Sequence, residues 1–218
     1  MATPLRLAWA AFAACALVAP RTSSAEPAAA REPVVGLPCE GCEAVFDGLP
    51  ETLAPHARIA PLGEPGRPLR VEGTVLDGKG RPAAGVVVYA YQTDAKGIYP
   101  ATGGAGRRAA ARHGRLRGWA TTDAQGRYRF DTIRPGGYPG SEAPEHVHMH
   151  VIEPGRCTYY IDDLVFEDDP RLTPEVRRAH VSGRGGPGLV SPTPDGRGGF
   201  VVRRDIRLGE RVPGYPAN

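Results

Sequence analysis

The chain has 218 residues, of which 41% are hydrophobic and 23% charged, and its 29 Gly and 23 Pro make up roughly a quarter of the whole. That many helix breakers exclude a bundle of long helices. The formal charge of +3 is spread along the chain without a basic block, so there is no electrostatic footprint for nucleic acid.

Met1 to Arg6 is a short basic start, Leu7 to Ala19 is an uncharged apolar run, and Ser23 and Ala25 fall at the minus-three and minus-one positions of a cleavage site. This is the layout of a secretory signal peptide over residues 1–25, and the run is too short to span a bilayer. The expected location is therefore secreted or periplasmic, with no stable membrane span once the signal is removed. Lipidation at Cys15 is disfavoured, because the apolar run continues beyond it.

Residues 26–68 read as a Pro- and Ala-rich lead-in, flexible up to Pro38. It carries Cys39-Glu40-Gly41-Cys42, which fits a redox pair, half a zinc site or a small structural disulfide. A zinc site wants a second Cys or His pair at matching spacing, and none is evident. A redox pair wants a strand before it and a helix after it, a context that Pro38 spoils. In an oxidising compartment a Cys39–Cys42 disulfide is the expected state, which leaves the pairing of Cys157 open.

Residues 69–218 are expected to form the folded domain. Leu69, Val71, Gly73 and Val75 alternate with Arg70, Glu72 and Thr74, the mark of a half-buried strand, before Asp77-Gly78-Lys79-Gly80 turns the chain. Val86 to Tyr91 is a second strand. Trp119 to Thr122 and Tyr128 to Ile133 read as a hairpin around Asp123-Ala124-Gln125-Gly126. His146 to Ile152, Tyr159 to Phe166 and Phe200 to Leu208 add further strands. Residues 100–118 and 182–199 read as long Gly- and Arg-rich loops, and Thr173 to His180 as one short helix capped by Thr173. The fold class is all-β: an antiparallel β-sandwich with little helix.

The densest set of chemical groups is His146-Val147-His148-Met149-His150. Residues two apart on a strand share a face, so the three imidazoles point one way and Val147, Met149 and Val151 the other. Adjacent imidazoles suit a transition metal, but two of them do not complete a coordination shell. Upstream, Pro135-Gly136-Gly137-Tyr138-Pro139 is a stiff turn that fixes where the Tyr138 hydroxyl points, and Tyr99 offers a second phenol after the second strand.

Three segments then stand in order: Tyr91 to Tyr99, Gly126 to Pro139, and Pro144 to His148. Together they resemble the intradiol ring-cleavage dioxygenases, the catechol and protocatechuate 3,4-cleaving family, over roughly Leu69 to Pro170. The resemblance implies a non-haem Fe(III) held by Tyr99, Tyr138, His146 and His148. It implies a catecholic diol and O2 as substrates, with ring opening between the two hydroxyl-bearing carbons to a muconate-type product. Tyr138 is then the catalytic residue, leaving the metal to take a substrate proton. The physics agrees, because a hard trivalent cation drives a phenol to its phenolate and acts as Lewis acid and template.

The sequence also departs from the family pattern. Ala143 stands where the family carries Arg, so Arg134, Arg129 or an Arg of residues 100–118 is the candidate replacement. Gly140 stands where a ring-binding Trp is usual. His150 replaces a small or apolar residue, and with Arg134 it is a candidate for the groups behind the ligands. The long N-terminal helical segment by which catechol-cleaving relatives dimerise is missing, so a monomer or a different assembly is expected. The alternative function is a non-catalytic transthyretin- or carboxypeptidase-regulatory-like binding module that retains a metal site.

Overall fold

The computed structural model describes residues 32–38, 41–102 and 108–217, so the expected signal peptide and Cys39 lie outside the described residues. The strands are β1 (His56–Arg58), β2 (Pro68–Leu76), β3 (Val87–Tyr91), β4 (Arg117–Thr121), β5 (Arg127–Ile133), β6 (His146–Glu153), β7 (Cys157–Phe166), β8 (Leu189–Val190), β9 (Thr193–Pro194), β10 (Phe200–Arg203) and β11 (Ile206–Arg207). One sheet runs β1-β5-β2-β10-β9 with β11 added to β2, and the other runs β4-β3-β6-β7-β8. The sandwich expected from the turn-rich pattern is present.

Its centre is antiparallel: β2 pairs β5, β3 pairs β4 and β6, and β6 pairs β7. The additions around it are parallel, namely β1 on β5, β10 and β11 on β2, and β8 on β7. Alternation decides what fills the space between the sheets. Leu69, Val71 and Val75 of β2 and Tyr128 and Phe130 of β5 meet Val88 and Ala90 of β3 and Val147, Met149 and Val151 of β6. Each large apolar side chain enclosed there contributes about 1.5–3 kcal/mol relative to exposure.

The expected hairpin around Asp123 is not formed. β4 and β5 belong to different sheets, so the Asp123–Gly126 turn carries the chain across the sandwich instead of pairing its flanks. Asp123 still builds the turn, since its Oδ1 accepts from the amides of Gln125 and Arg127 at 2.9 Å each, with Gly126 at φ 71°. Local turn chemistry sets the reversal, and burial of β4 against β3 chooses the partner.

Residues 33–38 and 41–68, ahead of the expected domain start at Leu69, are packed on the body. The Val35 amide donates to the Thr158 carbonyl at 2.9 Å, and Thr158 donates back to Pro33 at 2.9 Å. A 3-10 helix, Cys42–Phe46, buries Ala44 and Val45. Val45, with Phe46, Leu49 and Leu53, covers Val87, Tyr89 and Tyr91 on the outer side of the five-stranded sheet. This is why β3 is buried on both faces, with an apolar face of its own under that segment.

The two long-loop regions contain short elements. Helix α1 (Arg108–His113) lies in the first, and β8 and β9 in the second. Helix α2 (Pro174–His180) follows Thr173, whose Oγ1 accepts from the Val176 amide at 3.3 Å, as the N-cap reading expects.

Candidate metal centre

The three histidines of β6 occupy one face of the strand, away from Val147, Met149 and Val151 in the interior. That face looks out of the five-stranded sheet, towards the loops that follow β3 and β5. The first of these loops is closed by Asp94, whose Oδ1 accepts from the Lys96 amide at 2.8 Å and the Ile98 amide at 3.0 Å, which sets Tyr99 at its end. The second is Pro135-Gly136-Gly137-Tyr138-Pro139. The two loops are held against each other: the Gly136 amide donates to Asp94 at 2.8 Å and Thr93 Oγ1 donates to Gly136 at 2.8 Å. Beneath them the buried amide of Gln92 donates to the Ile133 carbonyl at 2.8 Å and accepts from Thr132 Oγ1 at 2.9 Å.

The result is a convergence of four donor atoms. Tyr99 Oη and Tyr138 Oη are 2.5 Å apart, and His148 Nε2 lies 2.8 Å from the first and 3.1 Å from the second. His146 Nε2 is 3.1 Å from Tyr138 Oη and 3.2 Å from His148 Nε2. The other nitrogen of each ring fixes the tautomer. His146 Nδ1 faces the Pro144 carbonyl at 2.7 Å, and His148 Nδ1 faces Asp163 Oδ1 at 2.8 Å. Both partners only accept, so each Nδ1 carries the proton and both Nε2 lone pairs aim at one point. Two imidazole lone pairs 3.2 Å apart have no proton to share. A cation between them is the arrangement's natural complement.

The donor set fits a hard or borderline metal: two phenol oxygens and two imidazole nitrogens, with no soft sulfur. Burial, then the adjacent Tyr138, hold the Tyr99 hydroxyl well above the usual phenol range, so only a strongly polarising cation would draw off its proton. Burial also lowers His146, keeping it a neutral ligand. At Asp163 burial raises the carboxyl, but His148, His146 and the Tyr160 hydroxyl outweigh it and leave the group below its ordinary value.

His150, expected behind the ligands, is fully buried on the same face among Tyr89, Tyr91, His113 and Tyr160, with ring centroids 5.4–6.2 Å away. Burial pushes its imidazole down to about 3. Arg134 is held elsewhere: it donates to Glu145 at 2.7 Å and to both oxygens of Asp168, with its guanidinium 4.6 Å from the Phe166 ring. Glu145, one residue ahead of β6, is thus engaged with Arg134. Cys42 is disulfide-bonded, while Cys157 is a free, buried thiol pushed up to about 11 by burial.

A cavity of about 340 Å³ opens beside the four atoms, at the lower end of the usual range for small-ligand sites. Tyr91 and Tyr160 form aromatic wall, and Arg112, His113 and Arg184 supply polar wall. Tyr91 is sandwiched between His148, with centroids 4.5 Å apart, and His113, parallel at 3.7 Å. Asp163, His113 and Arg184 are site residues that the sequence did not single out. Their placement depends on how β7, α1 and the 183–186 loop fold over the outer sheet face.

Known proteins resemble this chain in sequence and in fold. A family model described as dioxygenase matches residues 54–190. The protocatechuate 3,4-dioxygenase beta chain of Burkholderia cepacia is 32% identical, over 56% of this chain and 58% of its own length. Catechol 1,2-dioxygenase 2 of Acinetobacter lwoffii is 28% identical, over 58% of this chain and 54% of its own. The chain thus spans little more than half the length of these relatives. The dioxygenase domain of a dioxygenase carbohydrate-binding protein fusion from Streptomyces sp. SirexAA-E is 26% identical with a TM-score of 0.53, covering 75% of this chain and 97% of that domain. Catechol 1,2-dioxygenase from Acinetobacter sp. ADP1 shares the fold at 22% identity and a TM-score of 0.57, covering 79% of this chain and 63% of its own.

Proposed function

The chain belongs to the intradiol branch of the dioxygenase family, and on that premise we propose that it is a non-haem Fe(III) enzyme that opens a catecholic ring between its two hydroxyl-bearing carbons with O2. The observation that carries this reading is the convergence of Tyr99 Oη, Tyr138 Oη, His146 Nε2 and His148 Nε2, with both imidazole lone pairs turned to one point. These four residues would hold the metal. When bound, Fe(III) supplies Lewis acidity and a template for the diol.

The chain's own residues do the rest. Tyr138 borders the cavity, so as a phenolate its oxygen would be placed to accept a hydroxyl proton from a bound diol. Tyr99 is half-buried beside it, at the end of the loop closed by Asp94. Tyr91 and Tyr160 line the space for a flat ring. Arg112 adds positive charge, Arg184 is paired with Asp162 at 3.0 Å, and no carboxylate of the described residues lines the cavity. That balance favours a diol carrying an anionic group over an unsubstituted ring.

The leader-like residues 1–25 and the disulfide at Cys42 support export to a periplasmic or extracellular location. Among the described residues no helix is long and apolar enough to cross a membrane.

The test is purification of the mature chain with iron. A stoichiometric ferric protein with a broad visible phenolate charge-transfer band, weakened by Tyr138→Phe, and O2 uptake with catechol or protocatechuate are expected. A colourless protein that takes up no iron would overturn the reading. Iron and colour without O2 uptake on any diol would favour a binding module that retains its metal.

A further inference from the structure

The strand β7 breaks its alternation at one place. Ile161 and Leu164 both face the interior although they are three residues apart, and between them stand Asp162 and Asp163. The pairing shows why: Val147 opposes Leu164 and Met149 opposes Ile161, so His148 alone spans two residues of β7. This is a β-bulge, which inserts one residue and re-aims the side chains around it. Here it brings the Asp163 carboxylate to the outer face and against His148 Nδ1, at 2.8 Å.

The two histidines are backed unequally. His146 Nδ1 meets a neutral backbone carbonyl at 2.7 Å, while His148 Nδ1 meets a half-buried carboxylate. An anion pulling on the Nδ1 proton shifts electron density to Nε2 and makes that nitrogen a stronger donor, more than a carbonyl does.

We propose that Asp163 is a positioning residue of the metal centre: delivered by the β7 bulge, its charge locks His148 in the Nδ1–H tautomer and strengthens it as the more basic of the two imidazole ligands, which stabilises the ferric over the ferrous state. This rests on the metal-centre reading above. Asp163 pairs with His148 Nδ1 and with the hydroxyl of the wall residue Tyr160, and it acts on the metal position through His148.

Two substitutions separate charge from hydrogen bond. Asp163→Asn keeps an oxygen to accept from His148 Nδ1 but removes the charge. Asp163→Ala removes both. In iron-loaded protein, Asp163→Asn is expected to retain iron, to move the midpoint potential to more positive values, and to shift the phenolate band to longer wavelength, since a more readily reduced ferric ion lowers the charge-transfer energy. Asp163→Ala is expected to weaken iron binding roughly ten- to a hundred-fold, the usual cost of losing such a partner. A merely structural Asp163 would leave potential and band unchanged in Asp163→Asn, and that result overturns the proposal. The readouts also separate the two readings: wild-type protein that holds no iron fails the metal centre itself, whereas wild-type iron with unmoved variants fails Asp163 alone.

Discussion

Gly97 and Gly137 touch backbone to backbone: a Cβ on Gly97 would stand 2.1 Å from the Gly137 carbonyl oxygen. One belongs to the loop that sets Tyr99 and the other to the turn that sets Tyr138. The close approach of the two phenols is thus decided by a contact that only glycine at 97 permits, at φ 79°.

Gly97→Ala is therefore expected to destabilise the fold by more than the roughly 1–2 kcal/mol of a left-handed backbone, since the clash adds to it. It should also part the two phenols. Urea unfolding of the metal-free chain measures the first effect, and the intensity of the visible band on iron addition the second. Unchanged stability would show that the loops separate without cost.

Arg112→Met tests the polar wall of the cavity. Michaelis constants for a carboxylated diol should rise about ten-fold or more, as expected for a lost charge-assisted hydrogen bond of about 1.5–3 kcal/mol, while those for an unsubstituted diol move little. Equal changes for both would place the anionic group elsewhere.

Arg204 is a fully buried cation that leans on carbonyls alone. Its Nη1 donates to Asp205 at 2.8 Å and Gly185 at 3.1 Å, and its Nη2 reaches Arg184 at 3.4 Å, while Nε has no hydrogen-bond partner among the described residues. Arg204→Met keeps most of the stem but strands those carbonyls, so a loss of about 2–4 kcal/mol is expected. The loop carrying Arg184 should loosen with it, read as faster amide exchange over residues 183–186. Substitution without loss would mean that the carbonyls find water.

His113 gives the fold a sensitivity to acid. Its Nδ1 lies 2.7 Å from the Tyr89 hydroxyl, and burial pushes its imidazole down to about 4 from the ordinary 6.5. The folded state thus disfavours the protonated ring, which the unfolded chain accepts. Stability from this group is complete above about pH 6.5 and is lost as the pH falls towards 4, at up to about 1.4 kcal/mol per pH unit. Denaturation of the metal-free protein between pH 7 and 4.5 should therefore be less steep in pH for His113→Gln than for wild type. Identical slopes would assign the acid sensitivity to other groups.

The histidine face of β6 was legible because a period of two is visible in five consecutive residues, and Pro139 with Gly136 and Gly137 announces a rigid turn at Tyr138. Helix α2 declared itself through Thr173 and Pro174. The partners of the strands were not legible. Asp123-Ala124-Gln125-Gly126 specifies a reversal, but the choice between sheets belongs to the residues on β3 and β2 that β4 and β5 cover. Asp163 was hidden for a similar reason: in Ile161-Asp162-Asp163-Leu164 nothing local reveals a bulge, which exists only in the register against β6. His113 and Arg112 sit in a stretch whose composition reads as loop, and their role comes from where α1 lands.

The strap formed by residues 33–36 has a topological consequence. Its Gly36 amide donates to the Pro213 carbonyl at 2.9 Å, so the entry and exit of the sandwich lie one hydrogen bond apart. A short linker joining these ends would close the chain into a ring, and a new opening at the exposed Asp77–Gly80 turn would leave Tyr99, Tyr138, His146 and His148 on an unbroken segment. Such a circular permutant keeps its strand partners while redistributing which contacts are close in sequence, which changes the order in which the sheets can assemble more than it changes the assembled site.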